Sequence, residues 1–163
     1  VNGQDLFRFD STGGWNLGKK ENGGYYFNKV EAVKLTPNQE KLVLEVAQNT
    51  YRPCCDNSTF FQDCNHGSAL LGALELAASQ NYTKEQLYKL ALQFNSFWFP
   101  DNYIKTALYF KIFENKDWSQ VDPKEIMSIK YSSASGWTEN INKNLLKLPE
   151  FNPRGNTGAS CGV

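Results

Sequence analysis

The sequence predicts a mainly α protein, a single-domain bundle of about five or six helices that follows an irregular or short β-hairpin N-terminal arm. Three observations support this fold class. Motifs that cap helix N-termini recur along the chain, apolar residues follow them at helical spacing, and the connections between predicted helices are short, as in helical bundles. A length of 163 residues is typical of one domain. We divide it into an arm (residues 1–35), a helical core (36–148) and a cysteine-containing tail (149–163).

The arm is rich in glycine and aromatic residues. Two Gly-Gly pairs mark turns, and the aromatic residues that follow the second pair favour a strand. Residues 6–9 and 25–34 are therefore expected to form one hairpin or a wrapped arm.

The first predicted helix begins after Thr36 and extends to about Asn49. Thr36 is a good N-cap, Pro37 fits the first helical position, and Gln39 completes a capping box with Thr36. The apolar residues that follow fall on one helical face. They are Leu42, Val43, Val46 and Ala47.

A second helix is predicted to begin near residues 65–67, directly after a loop that carries three of the four cysteines. We call residues 53–67 the cysteine loop. The apolar residues of this helix recur at helical spacing and are expected to face the core. They are Leu70, Leu71, Leu74, Ala77 and Ala78.

Four further helices are predicted from local signals. Thr83 and Gln86 form a second capping box, and Pro100 fits the first turn of the next helix. Asp122 caps a short fifth helix, and a sixth is predicted over residues 138–146.

Composition and charge exclude several classes of protein. The chain has 17 basic and 17 acidic residues and no net charge, whereas nucleic-acid-binding domains concentrate basic residues on one face. We therefore expect no nucleic-acid partner. No apolar stretch approaches the roughly 20 residues that span a bilayer, so no transmembrane segment is predicted.

The chemically dense part of the chain is the cysteine loop. Cys54, Cys55, Cys64 and the only histidine, His66, all lie within it, and the fourth cysteine, Cys161, lies near the carboxyl end. Thiolate and imidazole together suit zinc, copper, an iron–sulfur cluster or haem iron. The sequence therefore predicts these five residues as the ligands of a transition metal, an iron–sulfur cluster or a haem whose identity it does not specify.

The position of Cys64 supports a metal site, since it precedes an apolar helix whose positive N-terminus favours thiolate over thiol. Asp56 and Asp63 flank the sulfurs and are either partners that orient His66 or solvated carboxylates. The spacing matches neither a zinc ribbon nor a covalent haem attachment, because the chain contains no Cys-x-x-Cys.

Disulfides are the competing interpretation. Neighbouring α carbons lie about 3.8 Å apart, too close for an ordinary disulfide, so Cys54 and Cys55 would pair with Cys64 and Cys161 in one of two crossed arrangements. This interpretation gives His66 no role. Both interpretations require the tail to fold back on the core and bring Cys161 to the loop.

The functional prediction follows from these residues. We expect a small metal- or haem-binding protein that uses its Cys/His cluster, with electron transfer to a redox protein partner as a possible activity. The alternative is a disulfide-stapled, non-enzymatic binding or structural module. An enzyme is the less favoured class, because residues two apart poorly align Cys64 with His66 as nucleophile and base. An even cysteine count suits an oxidising compartment, and we expect an extracytoplasmic location, either periplasmic or secreted.

Overall fold

A computed structural model describes residues 18–26, 29 and 31–152. Residues 6–9 of the predicted hairpin, together with residues 27, 28 and 30, lie outside these ranges, so the hairpin stays a prediction, as does the return of Cys161 to the cysteine loop. Within the described part of the arm, Gly23–Tyr26 form a 3₁₀ turn. Extended pairing in the described ranges is confined to one isolated bridge between Tyr51 and Ser58.

The described chain is mainly helical, as the sequence predicts. The helices, in chain order, are α1 (Pro37–Gln48), α2 (Asn65–Ser79), α3 (Lys84–Trp98), α4 (Pro100–Phe113), α5 (Pro123–Ile126), α6 (Ile129–Ser132) and α7, which comprises Ala134–Trp137, Thr138–Asn142 and Lys143–Leu145. Short 3₁₀ turns occur at Trp118–Gln120 and Pro149–Phe151.

Both predicted capping boxes are confirmed. The hydroxyl of Thr36 accepts from the backbone N–H of Gln39, and the Gln39 side chain accepts in return from the Thr36 N–H at 2.9 Å. Thr83 and Gln86 make the same pair of bonds at the start of α3. Each box satisfies two N–H groups that have no partner inside the helix, which fixes where α1 and α3 begin.

The last helix begins earlier than predicted. Its first turn starts at Ala134, where the Ser133 hydroxyl accepts from the Gly136 N–H at 3.0 Å, and its middle segment, Thr138–Asn142, is a π-helix. Gly136 allows close contact with α6, because a Cβ there would overlap the carbonyl oxygen of Ile129.

The core forms where α1, α2 and α3 pack together, with α4 and α5 against α3. Leu70, Leu74 and Ala78 of α2 are completely buried, as predicted. Leu71 is only partly buried and packs at the edge of the core. The inward face of α2 is therefore centred on Leu70 and Leu74.

A buried polar network connects the helices to the residues before the cysteine loop. The side-chain amide of Asn95 donates to the carbonyl oxygen of Tyr51 at 2.8 Å and to the Tyr103 hydroxyl at 3.2 Å. The Tyr103 and Ser132 hydroxyls are hydrogen-bonded at 2.7 Å. Because α3, α4 and α6 all contribute, the network fixes the chain just ahead of the loop.

We predict that Leu74→Ala lowers the free energy of unfolding by about 2–5 kcal/mol, since it removes a completely buried side chain from the core. Leu76→Ala on the same helix is the matched control, because Leu76 is 52% exposed and should cost less than about 0.5 kcal/mol. Urea denaturation of both variants measures the difference, and equal midpoints would contradict the helix register described above.

Candidate metal centre

The cysteine loop is held to the body of the protein by backbone hydrogen bonds. Tyr51 N–H, just before the loop, donates to the Met127 carbonyl at 2.9 Å, and the Ala134 N–H donates to the Cys55 carbonyl at 3.0 Å. Asp56 accepts from both the backbone N–H and the hydroxyl of Ser135 at 2.8 Å. These bonds fasten the loop to residues 127–135, so its shape depends on the C-terminal helices.

Three of the five predicted ligands lie together. One ligand atom from each of Cys54, Cys64 and His66 falls within 4.8 Å of both others. Cys54 is exposed, whereas Cys64 and His66 are half-buried, so one side of the group faces solvent. Cys55 lies beside the group, with its sulfur 3.9 Å from that of Cys54. The roles of all five residues as ligands stay predictions.

The three cysteines of the described chain, Cys54, Cys55 and Cys64, form no disulfide. The sulfurs of Cys54 and Cys64 nevertheless lie within 4.8 Å of each other, so a modest loop movement would join them. Pairings that involve Cys161 lie outside the described residues.

A buried arginine organises the loop, and sequence reasoning did not identify it. The Arg52 side chain is completely buried, whereas arginine is mostly exposed in proteins. Its Nε–H donates to the sulfur of Cys64 at 3.2 Å. Its terminal nitrogens donate to the carbonyl oxygens of three loop residues, Asn57, Ser58 and Phe61.

The countercharge for Arg52 is Asp63. One carboxylate oxygen of Asp63 accepts from Arg52 at 2.7 Å, and the other accepts from the side-chain amide of Asn57 at 2.6 Å. Asp63 therefore orients Arg52, which is neither of the two roles, orienting His66 or lying solvated in the loop, that the sequence left open. Asp56, the other candidate for orienting His66, is bonded to Ser135. The available signal for Arg52 was its position two residues before Cys54.

Cys64 is the N-cap of α2, as its sequence position indicated, and its sulfur accepts from the Gly67 N–H at 3.4 Å. The neighbouring Cys54 thiol contributes most to lowering the pKa of Cys64 to about 5; the Gly67 N–H and the Arg52 guanidinium lower it further. Proximity to Cys64, together with burial and the neighbouring Cys55, raises the pKa of Cys54 above its usual range. The pair therefore carries one thiolate, at Cys64, and one thiol, at Cys54.

His66 is held by aromatic rings. Its ring centroid lies 5.1 Å from that of Trp98 and 4.9 Å from that of Phe99. Both aromatic residues come from the junction of α3 and α4 and are partly buried against the core. Trp98 and Phe99 thus form an aromatic wall beside the predicted ligand.

The donor set suits a soft or borderline metal ion. Zinc–sulfur bonds of about 2.3 Å place two sulfurs of a tetrahedral site about 3.8 Å apart. The ligand atoms here lie within 4.8 Å of one another, so a movement of about 1 Å brings them to that spacing. Cys54 is the ligand free to make it, because it is exposed while Cys64 is held by Arg52 and Gly67.

Comparison with protein-family models, with curated proteins and with solved structures finds no match for this chain. Among the described helices, none combines the length and apolar character needed to cross a membrane.

We predict that the reduced, metal-free protein forms one thiolate near pH 5, because the pKa of Cys64 is lowered to about 5. An unfolded thiol ionises at about pH 8.5. Ionisation of Cys64 therefore stabilises the fold; the contribution is fully present above about pH 8.5 and is lost as the pH falls through about 5. Thiolate absorbance in the ultraviolet, followed from about pH 3 to 10, measures the step. It should disappear in Cys64→Ser, and a parent protein whose absorbance rises only above about pH 8 contradicts the assignment.

Proposed function

We propose that this protein binds a transition metal ion through the thiolates of Cys54 and Cys64 and the imidazole of His66. The observation that carries the proposal is that one ligand atom from each residue lies within 4.8 Å of the others. Ligands of this kind are used for zinc and copper. Aromatic packing of His66 and the hydrogen bonds to Cys64 supply the support that holds such ligands in place.

The charges of the surrounding residues also favour a divalent ion. Two thiolates balance the charge of one divalent ion, and Arg52 and Asp63 balance each other. Without an ion, a hydrogen bond to Cys64 holds the proton on the Cys54 thiol, and burial and repulsion between thiolates raise the pKa of Cys54 further. A bound divalent cation removes that repulsion.

A single ion fits the described residues better than an iron–sulfur cluster. Iron–sulfur clusters are usually held by four cysteine thiolates, whereas the group here offers two sulfurs and one imidazole. Three protein ligands leave a fourth position for a water molecule or another ligand. Cys55 and Cys161 are the candidates within this chain for that position.

For the activity of the bound metal we propose electron transfer with a redox protein partner outside the cytoplasm. Copper electron-transfer sites also combine imidazole with thiolate, although they use two imidazoles and one thiolate where this group has one imidazole and two thiolates. The exposed side of the group, at Cys54, supports this activity because it brings a ligand to the surface.

The alternative, a disulfide-stapled binding or structural module, is supported by one specific observation. The sulfurs of Cys54 and Cys64 lie within 4.8 Å, so oxidation would join them with little rearrangement. In that case His66 would pack against Trp98 and Phe99 without binding anything.

We predict that the parent protein, reduced and then dialysed against zinc or cobalt, retains one ion per chain, and that His66→Ala weakens binding by at least about tenfold because one of three ligands is lost. Isothermal titration and elemental analysis measure both quantities. Phe97→Ala is the matched control, since it removes an 82% exposed ring close in sequence to Trp98 and Phe99 without touching a ligand. Equal affinity of His66→Ala and the parent protein would contradict the ligand set.

Thiol counting separates the two functions. If metal binding is correct, protein isolated without reductant, treated with a chelator and denatured should yield Cys54 and Cys64 as free thiols, whereas the disulfide alternative predicts no free thiol. Alkylation followed by peptide mass spectrometry identifies the state of each cysteine. A disulfide at Cys54 or Cys64 in protein taken directly from its natural source would rule out the proposed site.

A further inference from the structure

The sulfur of Cys64 is already engaged by two N–H donors. Arg52 Nε lies 3.2 Å from it and the Gly67 backbone nitrogen lies 3.4 Å from it. A thiolate sulfur bonded to one carbon has three lone pairs. Two are used by these donors, which leaves one for a metal ion.

We propose that Arg52 is the positioning residue of the metal site and that it keeps Cys64 as a terminal ligand to a single ion. The inference rests on the proposed function, because it concerns the same sulfur. A thiolate that bridges two ions must give a lone pair to each, and Cys64 has only one to give. The site therefore takes one ion and excludes sulfur-bridged clusters built on Cys64.

Arg52 cannot turn away when an ion binds. Its side chain is completely buried, and both of its terminal nitrogens are bonded to acceptors. Nη1 donates to the carbonyl oxygens of Asn57 and Ser58 at 3.3 and 3.0 Å. Nη2 donates to the Phe61 carbonyl at 3.4 Å and to Asp63 at 2.7 Å. Moving the guanidinium away from Cys64 would break these bonds as well, so Nε–H stays on the sulfur.

Gly67 is part of the same arrangement. A Cβ at this position would lie 2.9 Å from Nη2 of Arg52 and 3.0 Å from its Cζ, closer than side chains ordinarily approach. Any larger residue would push the guanidinium out of its place. Gly72, further along α2, provides a matched comparison, because a Cβ added there would have nothing within 4 Å.

Hydrogen bonds from Arg52 also have an electronic consequence. An N–H donor lowers the energy of the sulfur lone pairs, so more energy is needed to transfer an electron from sulfur to a bound ion. The charge-transfer absorption band of a cobalt-loaded site reports this energy directly. A residue that only stabilised the fold would change how much protein binds cobalt but not where the band lies.

The experiment is a titration of the reduced protein with cobalt(II) chloride, followed by absorption spectroscopy. We expect the parent protein to saturate at one cobalt per chain. In Arg52→Met the affinity should fall about 10–100-fold, as for other residues that support metal ligands. The sulfur-to-cobalt band should move to longer wavelength, because the donor to Cys64 is lost.

Gly67→Ala keeps the inference testable if Arg52→Met does not fold. It should shift the band in the same direction, while Gly72→Ala should match the parent protein. If Gly67→Ala and folded Arg52→Met both absorb at the same wavelength as the parent protein in the sulfur-to-cobalt band, the proposed role of Arg52 is overturned. More than one cobalt bound through sulfur in the parent protein overturns the terminal-ligand assignment alone. A parent protein that binds no cobalt overturns the proposed function and this inference with it.

Discussion

The buried guanidinium of Arg52 is the interaction on which the site depends. An unpaired charge in a protein interior is very costly, and Arg52 avoids this cost through Asp63, three carbonyl oxygens and the sulfur of Cys64. Breaking a buried pair of this kind typically costs about 3–5 kcal/mol. That is a large part of the roughly 5–15 kcal/mol by which domains are stable. The conformation of the loop and the position of its reactive sulfur therefore have the same physical cause.

The two half-buried ligands of the proposed site are held by different parts of the fold. Cys64 is held at the N-terminus of α2 by Arg52 and Gly67. His66 is held by rings from the junction of α3 and α4. The packing of α2 on α3 sets the position of Cys64 and His66 relative to the aromatic rings. The core and the site are therefore coupled, although the buried leucines contribute no ligand atom. Cys54, which is exposed, is the adaptable member of the group.

Local signals predicted the helices well, and the site only in part. Capping boxes at Thr36 and Thr83 are contained within four residues, so sequence alone identifies them. The π-helical segment Thr138–Asn142 has no comparable signal within its own sequence. Arg52 was missed because its acceptors lie 5 to 12 residues further along the chain and converge only in three dimensions. Cys54, Cys64 and His66 were predicted because their chemistry alone singles them out.

The attachment of the loop to the C-terminal helices has a consequence for biosynthesis. Asp56 is bonded to Ser135, which is 79 residues later in the chain. At a synthesis rate of about 5–20 residues per second, these partners are separated by about 4–16 s on the ribosome. During that interval the nascent thiols have been made but lack the residues that fasten their loop. The period in which they are most vulnerable to oxidation thus precedes completion of the fold, and a reducing environment or an early metal ion would protect them then.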